Sequence, residues 1–340
     1  MHRWKVVVTD WEYEDLCFEE QVLQDEAFEL IPAQCRTEEE VIAACRDADG
    51  IINQYAPISR RVIQSLDRCR VIARYGVGVN TIDLAAATEG GICVANVPNY
   101  CVDEVSDHAL ALLLNLMRKI TCADRAVKKG VWDYKVTQPL YLLRGQTIGL
   151  VGFGKIPQRL AEKLKPIGFR VIAYDPYIPT EVADQKGVPL VSLERLCEEA
   201  DGISVHAPLT HETRGLIGRA QFSAMKEGAV IVNTSRGPVI DEKALIEALE
   251  GGKLAGAALD VVEKEPITLG HRLLSMEQVI LTPHLAWYSE EAASEMRIKA
   301  ASAIRDVLLD GRYPTDLVND SVTPRQSLRP SLSSKGVIQR

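Results

Sequence analysis

The chain has no C-x-x-C pair, no block of basic residues and no long apolar run, and each absence removes a class of function. Its eight cysteines, Cys17, Cys35, Cys45, Cys69, Cys93, Cys101, Cys122 and Cys197, are scattered. That spacing argues against a zinc site and against a disulfide framework. Several of them sit in apolar patterns, where a buried free thiol in a reducing compartment is the expectation. Net charge is -8 and the lysines and arginines are dispersed, so no nucleic-acid footprint is expected. The longest apolar run covers residues 109–114 and resumes at Leu116-Met117 after Asn115, far too short to span a bilayer. No leader-like segment precedes the strand pattern Trp4-Lys5-Val6-Val7-Val8-Thr9, so a soluble cytoplasmic protein is expected.

What is present is an alternation of short β-branched runs with longer helical patterns. At 340 residues, with 46% apolar and 25% charged residues, the chain suits two globular domains. Strands are expected at residues 6–9, 29–31, 50–53, 70–73 and 92–95. A second series is expected at 147–151, 170–174, 202–205, 229–233, 256–260 and 279–282. Runs that are apolar throughout imply burial on both faces, hence doubly wound parallel sheets in an α/β fold. Ala48-Asp49-Gly50-Ile51 is echoed by Ala200-Asp201-Gly202-Ile203. The expected reason is a helix-to-strand turn whose glycine takes a left-handed conformation. Long helices over 103–129 and 290–310 are expected to bridge the domains. The division is therefore an outer domain of residues 1–101 and 290–320, an inserted domain of 102–289, and a flexible tail over 321–340, rich in Ser, Pro and Arg.

The segment Thr147-Ile148-Gly149-Leu150-Val151-Gly152-Phe153-Gly154-Lys155-Ile156-Pro157 reads as strand, glycine turn and helix start. Gly152 and Gly154 would let backbone approach a pyrophosphate at the helix N-terminus. Asp175, at the end of the next strand, stands where an acid takes both ribose hydroxyls. It would repel a 2′-phosphate, so NAD is expected rather than NADP in a Rossmann-type domain. Pro157 replaces the third glycine of the pattern, which would shift the helix slightly and remove one N–H near the phosphates.

Three polar segments follow apolar strands of that series: Asn233-Thr234-Ser235-Arg236-Gly237, Asp260-Val261-Val262-Glu263-Lys264-Glu265-Pro266 and Thr282-Pro283-His284-Leu285-Ala286-Trp287. Ligands of open parallel sheets gather at the carboxyl ends of strands, so Arg236, Glu265 and His284 can converge. Hydride transfer to a ketone needs a cation to polarise the oxygen and a proton donor. Arginine offers a fork for a carboxylate. Histidine titrates near neutrality, and an adjacent acid orients it and stabilises its charged form. His108, His206 and His211 read as structural, and no metal constellation is expected.

These motifs, in this order, resemble the D-2-hydroxyacid dehydrogenase family over residues 1–320. Asn96-Val97-Pro98, Glu104-Val105-Ser106-Asp107-His108 and the run from Thr282 through Trp287-Tyr288-Ser289-Glu290 look most like its C-terminal-binding-protein branch. The resemblance implies a Rossmann-type NAD domain inserted into a flavodoxin-like substrate domain. It implies His284 as general acid/base, Glu265 rather than Glu263 as its partner because it directly precedes Pro266, and Arg236 on the 2-oxo acid. Lys155 and Ile156 would face the pyrophosphate and Ala207 and Pro208 the adenosine half. Thr234, with Ser235 beside it, and Asp260 would lie near the nicotinamide, with Val105 contributing from its helix.

The resemblance further implies that the loop Arg74-Tyr75-Gly76-Val77-Gly78 gives backbone N–H groups to the substrate carboxylate, with Arg74 adding charge unless it pairs with Asp83. Trp287 is either a pocket wall favouring an apolar or thioether side chain, or plain core. Asn53, Gln54, Tyr55 and Tyr75 would line the same pocket. The implied assembly is a homodimer through the NAD domain. The implied activity is reversible reduction of a small 2-oxo acid to the (R)-2-hydroxy acid. The alternatives are an NAD-sensing regulatory scaffold and a phosphite-type dehydrogenase on the same site. A serine-pathway phosphoglycerate dehydrogenase is less expected, because many carry a long C-terminal regulatory extension.

Overall fold

The computed structural model describes residues 3–331. The chain divides into two compact units, Met1–Tyr100 with Ser289–Arg340, and Cys101–Tyr288. The first carries strands β1 (Trp4–Val8), β2 (Phe28–Pro32), β3 (Gly50–Asn53), β4 (Val71–Arg74) and β5 (Cys93–Ala95). They pair in parallel in the order β2-β1-β3-β4-β5, which is the flavodoxin-like order. Val6, Val7, Val8, Ile51, Ile52, Ile72 and Val94 are fully buried, as continuous apolar strands covered on both faces must be.

The second unit carries β6 (Thr147–Val151), β7 (Arg170–Tyr174), β8 (Gly202–Val205), β9 (Ala229–Asn233), β10 (Leu254–Leu259) and β11 (Val279–Leu281), in the order β11-β10-β9-β8-β6-β7. Outside β7 runs a remnant of one more strand. Ala173 N donates to Pro189 O at 3.0 Å, and Val191 N donates to Ala173 O at 2.8 Å. Counting that single parallel bridge at Leu190, the order becomes the 3-2-1-4-5-6 arrangement of a dinucleotide-binding sheet with one strand added.

The repeated Ala-Asp-Gly-Ile has a different cause from the one its sequence suggests. Neither Gly50 nor Gly202 is among the left-handed glycines. A Cβ on Gly50 would meet Leu308 and Ile304 at 3.1 and 3.3 Å, and one on Gly202 would meet Leu113 and Val230 at 3.1 and 3.2 Å. The glycines therefore make room for a packed helix or neighbouring strand. The aspartates do the rest: Asp49 Oδ2 accepts Lys5 N at 2.9 Å, and Asp201 Oδ2 accepts Thr147 N at 2.7 Å. In both units the same carboxylate staples the amino end of the neighbouring strand.

The single long helix expected over 103–129 is broken at Lys119, whose φ is 51°. It becomes Val102–Arg118 and Ile120–Lys128. Asn115 Oδ1 accepts Thr121 N at 2.9 Å, and Asn115 Nδ2 donates to Thr121 Oγ1 at 2.8 Å. The side-chain amide takes a backbone proton and starts a second helix with no glycine to announce it. The last long helix is Glu290–Leu308. Residues 321–331, expected as the start of a flexible tail, lie along the first unit. Val322 is buried, Arg325 Nε donates to Gly90 O at 2.7 Å, and Gln326 Nε2 donates to Val307 O at 2.7 Å. The rest of that tail falls outside the described residues.

Candidate active site

The carboxyl edge of the second sheet begins at the glycine turn after β6. Gly152 has φ 90° and donates its N–H to Tyr174 O at 2.8 Å. A Cβ there would meet Ala207 N and the His206 carbonyl carbon at 3.0 Å, so no side chain fits. Gly154 caps the helix Lys155–Ile167, and a Cβ on it would meet nothing within 4 Å. The mouth of the helix is therefore open to an incoming anion. Pro157 sits buried in the first turn and does not break the helix, since Gln158 N donates to Gly154 O at 3.1 Å. The three residues ahead of Gln158 have no intrahelical acceptor to lose.

Asp175 is fixed beside this turn. Its Oδ2 accepts Phe153 N at 2.8 Å, and its Oδ1 accepts Tyr177 N and Ile178 N at 2.9 and 3.2 Å. Lys155 is exposed and Ile156 half-buried at the helix start; beyond β8, Ala207 is buried and Pro208 exposed. After β9, Ser235 folds back on Asn233, with Oγ 2.8 Å from Asn233 Oδ1. Thr234 Oγ1 is buried without a hydrogen-bond partner. An open helix mouth, a fixed carboxylate and an orphaned hydroxyl lie along one sheet edge, and together they fit a dinucleotide. His206 is neutral and structural. Burial pushes its pKa down to about 3, and its Nε2 lies 2.8 Å from Ser204 Oγ. Val105 is buried on its helix and offers a ligand little surface.

The polar ends of β9, β10 and β11 meet. His284 Nδ1 lies 2.7 Å from Glu265 Oε2, and Glu265 Oε1 accepts Val262 N at 3.2 Å. Glu263 instead gives its N–H to Glu242 Oε2 at 3.2 Å. With Nδ1–H donated to Glu265, the outer nitrogen of His284 is left for a reacting group. Arg236 lies near enough for its charge to act on Glu265, and its Nη1 donates to Ser235 O at 2.6 Å. Gly237 makes this approach possible, since any Cβ would collide with the Val262 carbonyl and Glu263 N.

His284 has φ 54°, a left-handed backbone that L-residues avoid. What holds it there is Asp260. The Asp260 carbonyl accepts His284 N at 2.9 Å. The buried Asp260 carboxylate accepts Thr282 Oγ1 at 2.6 Å, Leu285 N at 3.0 Å and Ala286 N at 2.9 Å, clamping the loop on both sides of the histidine. Asp260, expected to lie near the nicotinamide, thus has a second part to play: its carboxylate holds the loop that carries His284. The Thr282 hydroxyl gives its one proton to Asp260, so it accepts from His108 Nε2–H at 3.1 Å. His108, read from sequence as having no site role, supports the catalytic loop at third hand.

Burial pushes the Glu265 carboxyl up, but its hydrogen bond to His284, the charge there, Val262 N and Arg236 reverse this, and the net pKa is lowered. The carboxylate's contribution to stability is thus complete above its unfolded value near 4.3 and is lost as pH falls through the lower folded value. In Glu265→Gln the charged imidazole loses its partner. The kcat/KM for reduction should then fall by about tenfold or more with NADH affinity little changed. Steady-state kinetics with cofactor titration reads this, and an unchanged kcat/KM would refute the pairing.

In the first unit the loop after β4 departs from expectation at Tyr75. Its N–H donates to Asn53 O at 2.8 Å, its hydroxyl donates to Glu19 Oε1 at 2.6 Å, and its side chain is buried. Tyr75 is core and gives a substrate neither group. Arg74 ends β4 with its guanidinium over Gly76, whose φ is 115°. The Val77 and Gly76 carbonyls are taken by Asn96 Nδ2 at 2.6 Å and Val97 N at 3.0 Å; Val77 is exposed and Gly78 half-buried. Asn53 is also core, its amide donating to Ala56 O at 2.9 Å and Thr9 Oγ1 at 3.1 Å. Trp287 is half-buried, edge-on to Tyr288 at 5.5 Å. Among the described residues no cluster of His, Cys, Asp or Glu could hold a metal, and no helix is long and apolar enough to cross a membrane.

Residues 110–286 match the family model for the D-isomer specific 2-hydroxyacid dehydrogenase, NAD binding domain. A D-3-phosphoglycerate dehydrogenase of Methanocaldococcus jannaschii is 40% identical over 95% of this chain and 61% of its own length. A glyoxylate reductase of Korarchaeum cryptofilum is 39% identical over 83% of this chain and 86% of its own length. The chain thus spans 61% and, for the Archaeoglobus fulgidus enzyme, 46% of the phosphoglycerate dehydrogenases it matches. Among solved structures, holo D-mandelate dehydrogenase of Rhodotorula graminis superposes with a TM-score of 0.85 at 31% identity, covering 95% of this chain and 100% of that one. D-lactate dehydrogenase of Aquifex aeolicus, complexed with NAD and lactic acid, gives 0.82 at 27% identity, covering 92% and 99%.

Proposed function

The chain belongs to the D-isomer-specific 2-hydroxyacid dehydrogenase family, and from this we propose that it interconverts a small 2-oxo acid and its (R)-2-hydroxy acid with NAD(H). The observation that carries the reading is the His284–Glu265 pair at 2.7 Å, at a sheet edge that also holds Arg236. Bound NADH supplies the hydride. Arg236 draws charge onto the carbonyl oxygen and clamps the acid's carboxylate with its fork. His284 gives the proton that neutralises the developing alkoxide and takes it back in the reverse direction. Glu265 stabilises the protonated ring between these events. Gly152, Gly154 and the N-terminus of the helix Lys155–Ile167 receive the pyrophosphate, and Asp175 receives a ribose.

The test is NADH oxidation with glyoxylate, hydroxypyruvate, a branched and a 4-methylthio 2-oxo acid, with NADPH in parallel. Turnover with NADH, at least about tenfold better than with NADPH, is expected because Asp175 repels a 2′-phosphate. NADH binding without turnover of any member would sink the reading.

We also propose a homodimer formed through the NAD domain. Trp132, Tyr134 and Leu142 are 88%, 75% and 76% exposed. Such an apolar arm on a single chain signals a protein contact. It borders a groove of about 690 Å³, lined by Leu116, Met117, Pro139 and Tyr141 at the amino edge of the sheet, away from His284. Sedimentation equilibrium should show a dimer that Trp132→Asp weakens; a monomeric wild type overturns this. The eight free thiols suit a reducing, cytosolic compartment.

A further inference from the structure

The Glu265 carboxylate sits on a surface excursion, residues 263–271, between β10 and β11. Lys264, Glu265, Thr268, Leu269 and Gly270 are exposed there, and Ile267 packs against the core. Compact surface loops of this kind have ends that lie close together and often carry functional groups.

Both ends of the excursion meet on one side chain, that of Glu242. At the entry its Oε2 accepts Glu263 N at 3.2 Å. At the exit its Oε1 faces His271 Nε2 at 3.0 Å. The proton of that imidazole is on Nε2, because Nδ1 accepts Leu273 N at 3.3 Å. The Glu242 carboxylate therefore takes two donors, one on each oxygen. The Glu242 and His271 side chains are 15% and 25% exposed, so the contact is shielded from much of the solvent. Helix capping does not explain the carboxylate. Glu242 opens the helix Glu242–Glu250, but the capping bond comes from Asp241, whose Oδ1 accepts Ala244 N at 3.0 Å.

The stretch that leads into Glu242 also bears Arg236. It is fixed by Asn233 Nδ2 donating to Arg236 O at 3.0 Å, Ile240 N to Gly237 O at 3.0 Å and Asp241 N to Ile217 O at 2.9 Å. Gly237 presses on the peptide between Val262 and Glu263 so closely that no Cβ fits. One stretch of chain thus touches that peptide twice, through Gly237 and through the Glu242 carboxylate. Glu265 follows directly, its Oε1 taking Val262 N and its Oε2 facing His284.

We propose that Glu242, with His271, is a positioning residue for the proton-transfer pair. It pins both ends of the Glu265 loop and registers that loop against the segment carrying Arg236. Both residues act through Glu265 and not on a reacting atom. What they fix is the fraction of time Glu265 stands at hydrogen-bonding distance from His284. The inference rests on the dehydrogenase reading and extends its machinery by two residues.

Glu242→Gln is isosteric but offers one acceptor oxygen to two donors, so it releases one end of the loop while packing is kept. His271→Asn keeps an acceptor for Leu273 N and releases the exit alone. With NADH and glyoxylate or hydroxypyruvate on the full chain, kcat/KM should fall about tenfold in Glu242→Gln, and in the same direction in His271→Asn. NADH affinity should stay within about twofold, because the glycine turn is untouched. Each change is also made in the Glu265→Gln background. There the further loss should stay within about twofold, since the group being positioned is already gone. General damage to the fold would instead cost the same in both backgrounds. An unchanged kcat/KM in both variants, or equal losses with and without Glu265, overturns the positioning role and leaves the dehydrogenase reading standing. Wild-type turnover of none of the panel acids, with NADH bound, overturns that reading and the positioning role with it.

Discussion

In His284→Asn, kcat/KM for 2-oxo acid reduction should fall by about 10²- to 10⁴-fold, the range that a positioned acid/base contributes. At 1.36 kcal/mol per decade this is about 3–5 kcal/mol of transition-state stabilisation. NADH affinity should change little, because the glycine turn and Asp175 lie at β6 and β7 while His284 follows β11. Asparagine is the informative replacement. It accepts the left-handed backbone more readily than most residues and preserves a hydrogen bond to Glu265, so what is removed is the titrating nitrogen. Steady-state kinetics with cofactor fluorescence titration would separate the two effects, and a loss under tenfold would show that another group moves the proton.

The second large effect concerns stability. Arg297 and Glu19 form a buried ion pair with Nη2–Oε2 at 2.7 Å and Nε–Oε1 at 2.9 Å, and their side chains are 6% and 0% exposed. The pair ties the helix Glu290–Leu308 to the helix Cys17–Val22. The guanidinium also lies over the rings of Tyr13 and Phe18, each at 4.7 Å. Arg297→Met leaves a carboxylate in the core with only the Tyr75 hydroxyl on it, and should cost about 3–5 kcal/mol. The double change Glu19→Leu with Arg297→Met should restore most of that loss, since removing both charges also removes the burial penalty. Urea denaturation of the full chain reads this in the transition of the first unit. Equal losses in the single and double variants would show that the aromatic contacts, not the charges, matter.

Much of this was legible from pattern. All eleven strands lie where apolar runs place them, because strands buried on both faces leave little room for polar residues. Where the edges moved, local chemistry explains it. β10 starts two residues early because Leu254 pairs ahead of a register shift at Ala255. The remnant strand at 189–191 is too short for periodicity to register. Lys119 broke a helix through the Asn115 amide, a bond that no propensity encodes.

The site was legible wherever a polar segment interrupts an apolar strand, which is how Arg236, Glu265 and His284 stand out. Tyr75 misled because it follows a strand end yet points into the core. Asp260 and His108 act through hydroxyls and backbone protons, so their part depends on three-dimensional neighbours. The signal available was an acid closing the apolar run Ala257-Ala258-Leu259, since a buried carboxylate needs donors.

The left-handed backbone of His284 has a consequence for how such a protein can change. An L-residue there costs about 1–2 kcal/mol relative to glycine. His284→Gly would relieve that backbone cost but would also strip the half-buried Glu265 carboxylate of its partner. The imidazole therefore stands where its own backbone resists it and its carboxylate neighbour rewards it, so this position is held by two opposing terms of similar size.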